Sequence, residues 1–106
     1  MNDLKWSDSE KKLTRRVFEA ALQTELSELI SDFKLRAASL TEPEEMWALE
    51  DHLRAKRIGV DRKYDYRYSQ LIGVFGHLLR EGRINEAQLV GLSEDKLNGI
   101  RRIATY

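Results

Sequence analysis

The chain has no cysteine, which removes disulfides, thiolate metal sites and cysteine nucleophiles together. It has one proline, Pro43, and six glycines in 106 residues, so few turns are encoded and long regular segments are expected. Histidine is nearly missing as well. His52 and His77 are the only two. A metal site would have to recruit carboxylates such as Asp51 or Glu81, and no H-x-x-x-H or E-x-x-H spacing occurs. His52 therefore reads as a half-exposed helix residue and His77 as a partly buried neighbour of a helical core. No metal or other cofactor is expected. Charge of one sign is not in excess either: 18 basic side chains balance 18 acidic ones, leaving no bulk pull toward nucleic acid or anionic lipid. No apolar run is long enough to span a membrane, and residues 1–6 lack the apolar centre of a signal peptide. Cytoplasmic residence is the expectation. Without a Gly-rich phosphate loop or an activated serine, an enzyme is not expected.

What is present is helix. Charged residues make up 34% of the chain and apolar ones 42%, the balance of a folded domain with a well-solvated surface. Ser7 followed by Glu10 is a capping-box signal, and Thr41 followed by Glu44, with Pro43 in the first turn, is a second. Between them Leu13, Val17, Phe18, Leu22, Leu26, Leu29, Ile30, Phe33, Ala37 and Leu40 recur at helical spacing. Leu22, Leu26, Leu29 and Phe33 step by four, three and four, forming an apolar seam. A helix of roughly 30 residues, about 45 Å long, cannot cover that seam with what remains of so short a chain. A second copy is the expected cover, with these four residues at the dimer interface.

A second helix is expected to begin near Glu42. Met46, Leu49, Leu53, Val60, Tyr64, Leu71, Phe75 and Leu78 fall on one side of it at about 100° per residue, so it reads as running to a stop at Gly82. Gly59 lies inside that span and predicts a bend or an unbroken helix, not a loop. Gly73 and Gly76 would admit another backbone closely. Two short helices follow near 85–90 and 93–103, the last capped by Ser93. The fold class is all-α, with no sheet.

Residues 51–68 are the densest in charge, with six basic side chains against three acidic ones, and Tyr64, Tyr66 and Tyr68 interleaved. Cations beside aromatics suit nucleic acid, yet these tyrosines alternate with both signs of charge, and nucleic acid is the weaker reading. Asp61 and Asp65 are a turn apart, but flanking Arg57, Arg62, Lys63 and Arg67 make ion pairing the better account. A different alignment is more specific. Trp47, Asp51, Arg54, Ile58, Asp61 and Asp65 project within about 40° of one line, away from the core face, with Arg57 at its edge. An aromatic anchor among orienting charges is the make-up of a protein-binding hot spot. The plainer alternative is that another helix or a second subunit covers it.

The same residues carry a resemblance. The run W-A-L-E-D-H-L-R-A-K-R from Trp47 to Arg57, then Asp61-Arg62-Lys63-Tyr64-Asp65 with Arg67, resembles the central helix of the fluorescence recovery protein family. Val74-Phe75, Leu78-Leu79, Glu81-Gly82 and Asp95-Lys96 continue it in order. The resemblance implies a homodimer of one helical domain per chain, with two long antiparallel helices as a stem (about residues 7–70) and a small helical head (about 71–106). It implies a non-enzymatic regulator that binds photoactivated orange carotenoid protein and speeds its return to the resting form. Trp47, Asp51 and Arg57 would be the partner-binding patch, with Arg54 and Asp61 on the same face. The chain departs from the family pattern at Glu50, where a histidine is expected, at Gly73, where an aromatic is expected, and at Gly99, where a basic residue is expected.

Overall fold

The computed structural model describes residues 5–106. Residues 1–4, part of the segment read as lacking a signal peptide, lie outside the described residues. Four α-helices and one short 3-10 turn account for the described fold: α1 (Asp8–Ala38), α2 (Pro43–Lys63), α3 (Leu71–Arg80), the turn at Glu86–Leu89, and α4 (Glu94–Ala104). No strand occurs among the described residues. The molecule is elongated, 53 × 24 × 24 Å.

Helix α1 starts where its capping box places it. Ser7 Oγ accepts from the Glu10 amide at 3.2 Å, and the Glu10 carboxylate accepts from the Ser7 amide at 3.0 Å, satisfying two donors that a helix start leaves open. The second box lies one residue further on than its sequence signal suggests. Pro43 occupies the first helical position of α2, so Glu42 is the cap. It is Glu45 that accepts from the Thr41 and Glu42 amides, both at 2.9 Å, and from the Thr41 hydroxyl at 3.1 Å. These bonds hold the Glu45 carboxyl below its ordinary range, led by the one from the Thr41 amide. Gly59 leaves α2 unbroken.

The expected continuous helix from Glu42 to Gly82 is not formed. The chain leaves helix at Tyr64 and re-enters it at Leu71. Tertiary contacts drive the break. The rings of Tyr64 and Tyr66 both meet Phe18 edge-on, with centroids 5.4 and 4.8 Å away. Tyr66 also exchanges a 2.9 Å hydrogen bond with Thr14, which is fully buried. Two rings, two residues apart in sequence, reach the same side of α1, as an extended backbone allows and a helix does not. Beyond the break, Gly82 stops α3 with a φ of 75°, the left-handed region that glycine enters at least cost. Asn85 caps the 3-10 turn, and Ser93 caps α4 by accepting from the Lys96 amide.

Packing divides the molecule unevenly. Leu71, Phe75, Leu78, Leu89 and Ile100 are completely buried, and the first turns of α1 join them through Leu13, Val17, Phe18 and Ala21. Helices α3 and α4 approach closely at Gly76, where an added Cβ would stand 2.5 Å from Ile103 Cγ2. Gly73, read as a second close approach, faces open space. His77 is exposed rather than partly buried, because α3 turns its other side to the core; its Nδ1 lies 2.8 Å from the Gly73 carbonyl.

Two polar joints tie the head together and fix it to the stem. The Glu10 carboxylate bridges two helix starts, accepting from the Ser93 amide at 2.9 Å and from the buried Lys96 ammonium at 3.1 Å. Burial pushes the Glu10 carboxyl up, but these donors together with the Ser7 amide outweigh it and hold the group below its ordinary value. Lys96 also donates to the Lys5 carbonyl at 2.7 Å and sits over the Trp6 ring. At the stem junction Glu25 of α1 accepts from Lys63 at 2.8 Å and Tyr64 at 2.7 Å, and pairs with Arg83 at 3.0 Å. Lys63 reaches on to Glu81 at 2.9 Å. Burial again opposes ionisation of Glu25, and the bonds from Lys63 and Tyr64 prevail, keeping its carboxyl low. Burial and then the bond to Glu25 push the Tyr64 phenol well above its usual range.

Candidate functional site

Beyond the junction, α1 and α2 run out as a two-helix stem. Leu49 is the one buried residue of α2. His52 lies half-buried, its Nε2 3.5 Å from Asp32 of α1. Two helices alone cannot cover each other's apolar sides, and the sequence places apolar residues on more than one face.

The stem face singled out by projection is intact as a physical surface. Trp47 is 60% exposed and Ile58 46%. Asp51, Arg54, Arg57 and Asp61 are exposed along the same side of α2. No head residue reaches over them. Among the charges, Arg54 donates to Glu50 at 3.0 Å and Arg57 approaches Asp61 at 3.9 Å, both one turn apart. Pairs this exposed contribute little stability and exchange partners readily. Asp51 makes no ion pair among the described residues. The stripe thus combines a protruding indole with a free carboxylate and two loosely held guanidinium groups. Asp65, projected onto the same line, does not join it: it lies beyond the end of α2, half-buried and paired with Arg67 at 2.6 Å.

The stem carries more unpartnered apolar surface than the sequence reading assigned. Met46, read as core-facing, is 46% exposed, and Ile30 and Leu35 of α1 point outward too. The proposed dimer seam is only partly covered within the chain: Leu22, Leu26 and Leu29 are half-buried and Phe33 is 38% exposed. Periodicity could not flag Met46 because it shares a side with Leu49 and Leu53, and the two-helix stem has no third helix to cover it.

Where α2 meets α3, an open groove of about 450 Å³ is lined by Gly59, Arg62, Lys63, Gly73, Val74 and His77, among others. It holds no set of acids or histidines placed to bind a metal; no group of three such side chains clusters among the described residues. In the basic run at 51–68 the cations are not interleaved with free rings. Lys63 is held by Glu25 and Glu81, and Tyr64 and Tyr66 turn into the head against Phe18, which leaves no alternating row of cations and stacking rings for nucleic acid there. No described helix is long and apolar enough to cross a membrane.

The family described as photoprotection regulator fluorescence recovery protein matches residues 6–104 of this chain. The chain belongs to that family. A fluorescence recovery protein of Synechocystis sp. strain PCC 6803 is 37% identical over 99 residues, 93% of this chain and 91% of that protein. The solved fluorescence recovery protein of Fremyella diplosiphon superposes with a TM-score of 0.90 at 37% identity, covering 96% of this chain and 100% of that one. The Synechocystis structure gives the same TM-score and coverage at 36% identity. The all-α architecture and the resemblance carried by the run from Trp47 to Arg67 are thereby both established, and the chain is a homologue of photoprotection regulators.

Proposed function

We propose that this chain is a non-enzymatic regulator acting by protein contact, which binds photoactivated orange carotenoid protein and accelerates its return to the resting form. The observation that carries the reading is the bare indole of Trp47, 60% exposed on a helix that the rest of the chain does not cover. A large aromatic is left in water at a cost unless a partner removes it. Asp51 and Arg57 flank it, with Arg54 and Asp61 beyond, charges that orient a partner and raise its encounter rate. Family membership supplies the class of process, photoprotection.

Homodimerisation is part of the proposal. The half-covered line of Leu22, Leu26, Leu29 and Phe33 gives a second copy an apolar strip to pack against. In such a dimer the head would keep its packed core and the stem would be the part that associates. The cytoplasm is the proposed location.

A second reading keeps the fold and the dimer but changes the partner. The departures at Glu50, Gly73 and Gly99 favour it. An added Cβ at Gly73 meets nothing within 4 Å, so an aromatic there would project from the head beside the groove, and this chain presents none. Glu50 places an acid beside Arg54 where the family pattern has a histidine.

The test is the red-to-orange decay of photoactivated orange carotenoid protein with and without this chain. Faster decay supports the first reading. Unchanged decay at excess protein removes it and leaves the second.

A further inference from the structure

On the opposite part of the molecule from the Trp47 face, the first turns of α1 carry Lys11, Lys12, Arg15 and Arg16, all exposed. Together with Tyr68 and Glu19 they line an open depression. Four cations face one acid, and that acid, Glu19, is spent on an exposed pair with Arg15 at 3.6 Å. Lys11, Lys12 and Arg16 make no ion pair among the described residues. Local stability opposes this arrangement. Lys11 with Arg15, and Lys12 with Arg16, are like charges one turn apart, which disfavour a helix. Lys11, at the end of the first turn, also meets the positive end of the helix dipole. A chain of zero net charge that concentrates cations against local preference has a use for them.

Two of the four side chains also rest on rings. The Arg15 guanidinium lies over the Tyr66 ring at 3.9 Å, and the Lys11 ammonium over Tyr68 at 5.4 Å. Tyr66 is itself pinned by Thr14 and Phe18. A guanidinium held over a ring face keeps N–H donors free to receive a carboxylate. The same stacking argues against nucleic acid, because the ring faces that would take bases are occupied by the cations. The four cations form two rows with a repeat of about 6 Å along the helix, the repeat of acids four apart on a partner helix.

We infer that the Lys11–Lys12–Arg15–Arg16 patch, backed by Tyr66 and Tyr68, is a second docking surface, and that it takes an acidic helical segment of a partner protein. It stands apart from the stem face, so the two can be tested separately.

The experiment is fluorescence anisotropy of a labelled alanine-rich helical peptide with glutamates four residues apart, titrated with the full chain at low salt. The peptide is expected to bind, and its glutamine counterpart is not. Combined Lys11→Gln and Arg15→Gln is expected to weaken binding about tenfold. Combined Lys12→Gln and Arg16→Gln, which disturbs no ring contact, is expected to do the same. Lys34→Gln, a stem cation, and Trp47→Ala are expected to leave binding unchanged. Equal affinity of the parent and both double variants would overturn the inference. So would tighter binding of a single-stranded oligonucleotide or phosphatidylserine vesicles to the same residues.

Discussion

In the head, Leu71, Phe75, Leu78, Leu89 and Ile100 are completely buried; along the stem, Ile30, Phe33, Leu35, Met46, Trp47 and Ile58 face outward. Both regions are helical and both are rich in apolar residues, so the difference lies in supply of neighbours. The head folds α3, α4, the 3-10 turn and the start of α1 around one centre. The stem has only two helices, each showing more than one apolar side. Buried apolar packing is therefore concentrated at one end, and the other end leaves apolar surface exposed, which the proposed function assigns to association.

The sharpest way to break that comparison is to truncate one residue in each region. Phe75→Ala is expected to cost about 3–5 kcal/mol in urea unfolding followed by circular dichroism, a large part of a small domain's stability. Trp47→Ala is expected to stay within about 0.5 kcal/mol when compared at one protein concentration. A cost for Trp47→Ala that grows on dilution would place the indole in the dimer interface.

Next in size is the clasp that closes the head. Glu10→Ala strands the Ser93 amide and leaves the Lys96 ammonium only neutral oxygen acceptors such as the Lys5 carbonyl, and a loss of about 2–4 kcal/mol is expected in the same assay. A pH series tests the same carboxylate. Its folded value is held below the ordinary 4.5, so the unfolded chain takes up the proton first. The stabilisation is present above about pH 4.5 and is lost as pH falls through the folded value. The melting temperature of Glu10→Gln should accordingly vary less with acidification than that of the parent.

The dimer proposal is checked by light scattering on a sizing column: a species of twice 12.4 kDa is expected, and a 12.4 kDa species at micromolar concentration would contradict it. The smallest effect belongs to the stem backbone. Gly59 lies mid-helix, with nothing within 4 Å of an added Cβ. Gly59→Ala is expected to stabilise the chain by about 0.5–1 kcal/mol.

Much of this was legible in the sequence because it is local. Ser7 with Glu10, Ser93, Gly82 and the period of Leu22–Leu26–Leu29–Phe33 each signal within a few residues. The break at residues 64–70 was not, because no proline or glycine marks it and Tyr64, Leu71, Phe75 and Leu78 continue the helical projection of α2. One trace was available: Tyr64, Tyr66 and Tyr68 alternate at period two, the repeat of extended chain. The Glu10–Lys96 and Glu25–Lys63–Arg83 joints were beyond reach, since their partners are tens of residues apart. The exposure of Trp47, Asp51, Arg54, Ile58 and Asp61 along one side of α2 was legible because they lie on a single uninterrupted helix, whereas Asp65 was projected onto the same line and falls beyond the helix end. Gly76 was read correctly as a close approach while Gly73 was not, and only the position of α4 separates them.

The central claim is that the exposed stem face around Trp47, not the packed head, carries the regulatory contact. The most direct measurement compares the red-to-orange decay of photoactivated orange carotenoid protein in the presence of the parent chain and of Trp47→Ala, at matched concentration and matched helicity. The account predicts acceleration by the parent and decay at the unassisted rate with Trp47→Ala. Equal acceleration by both would contradict it.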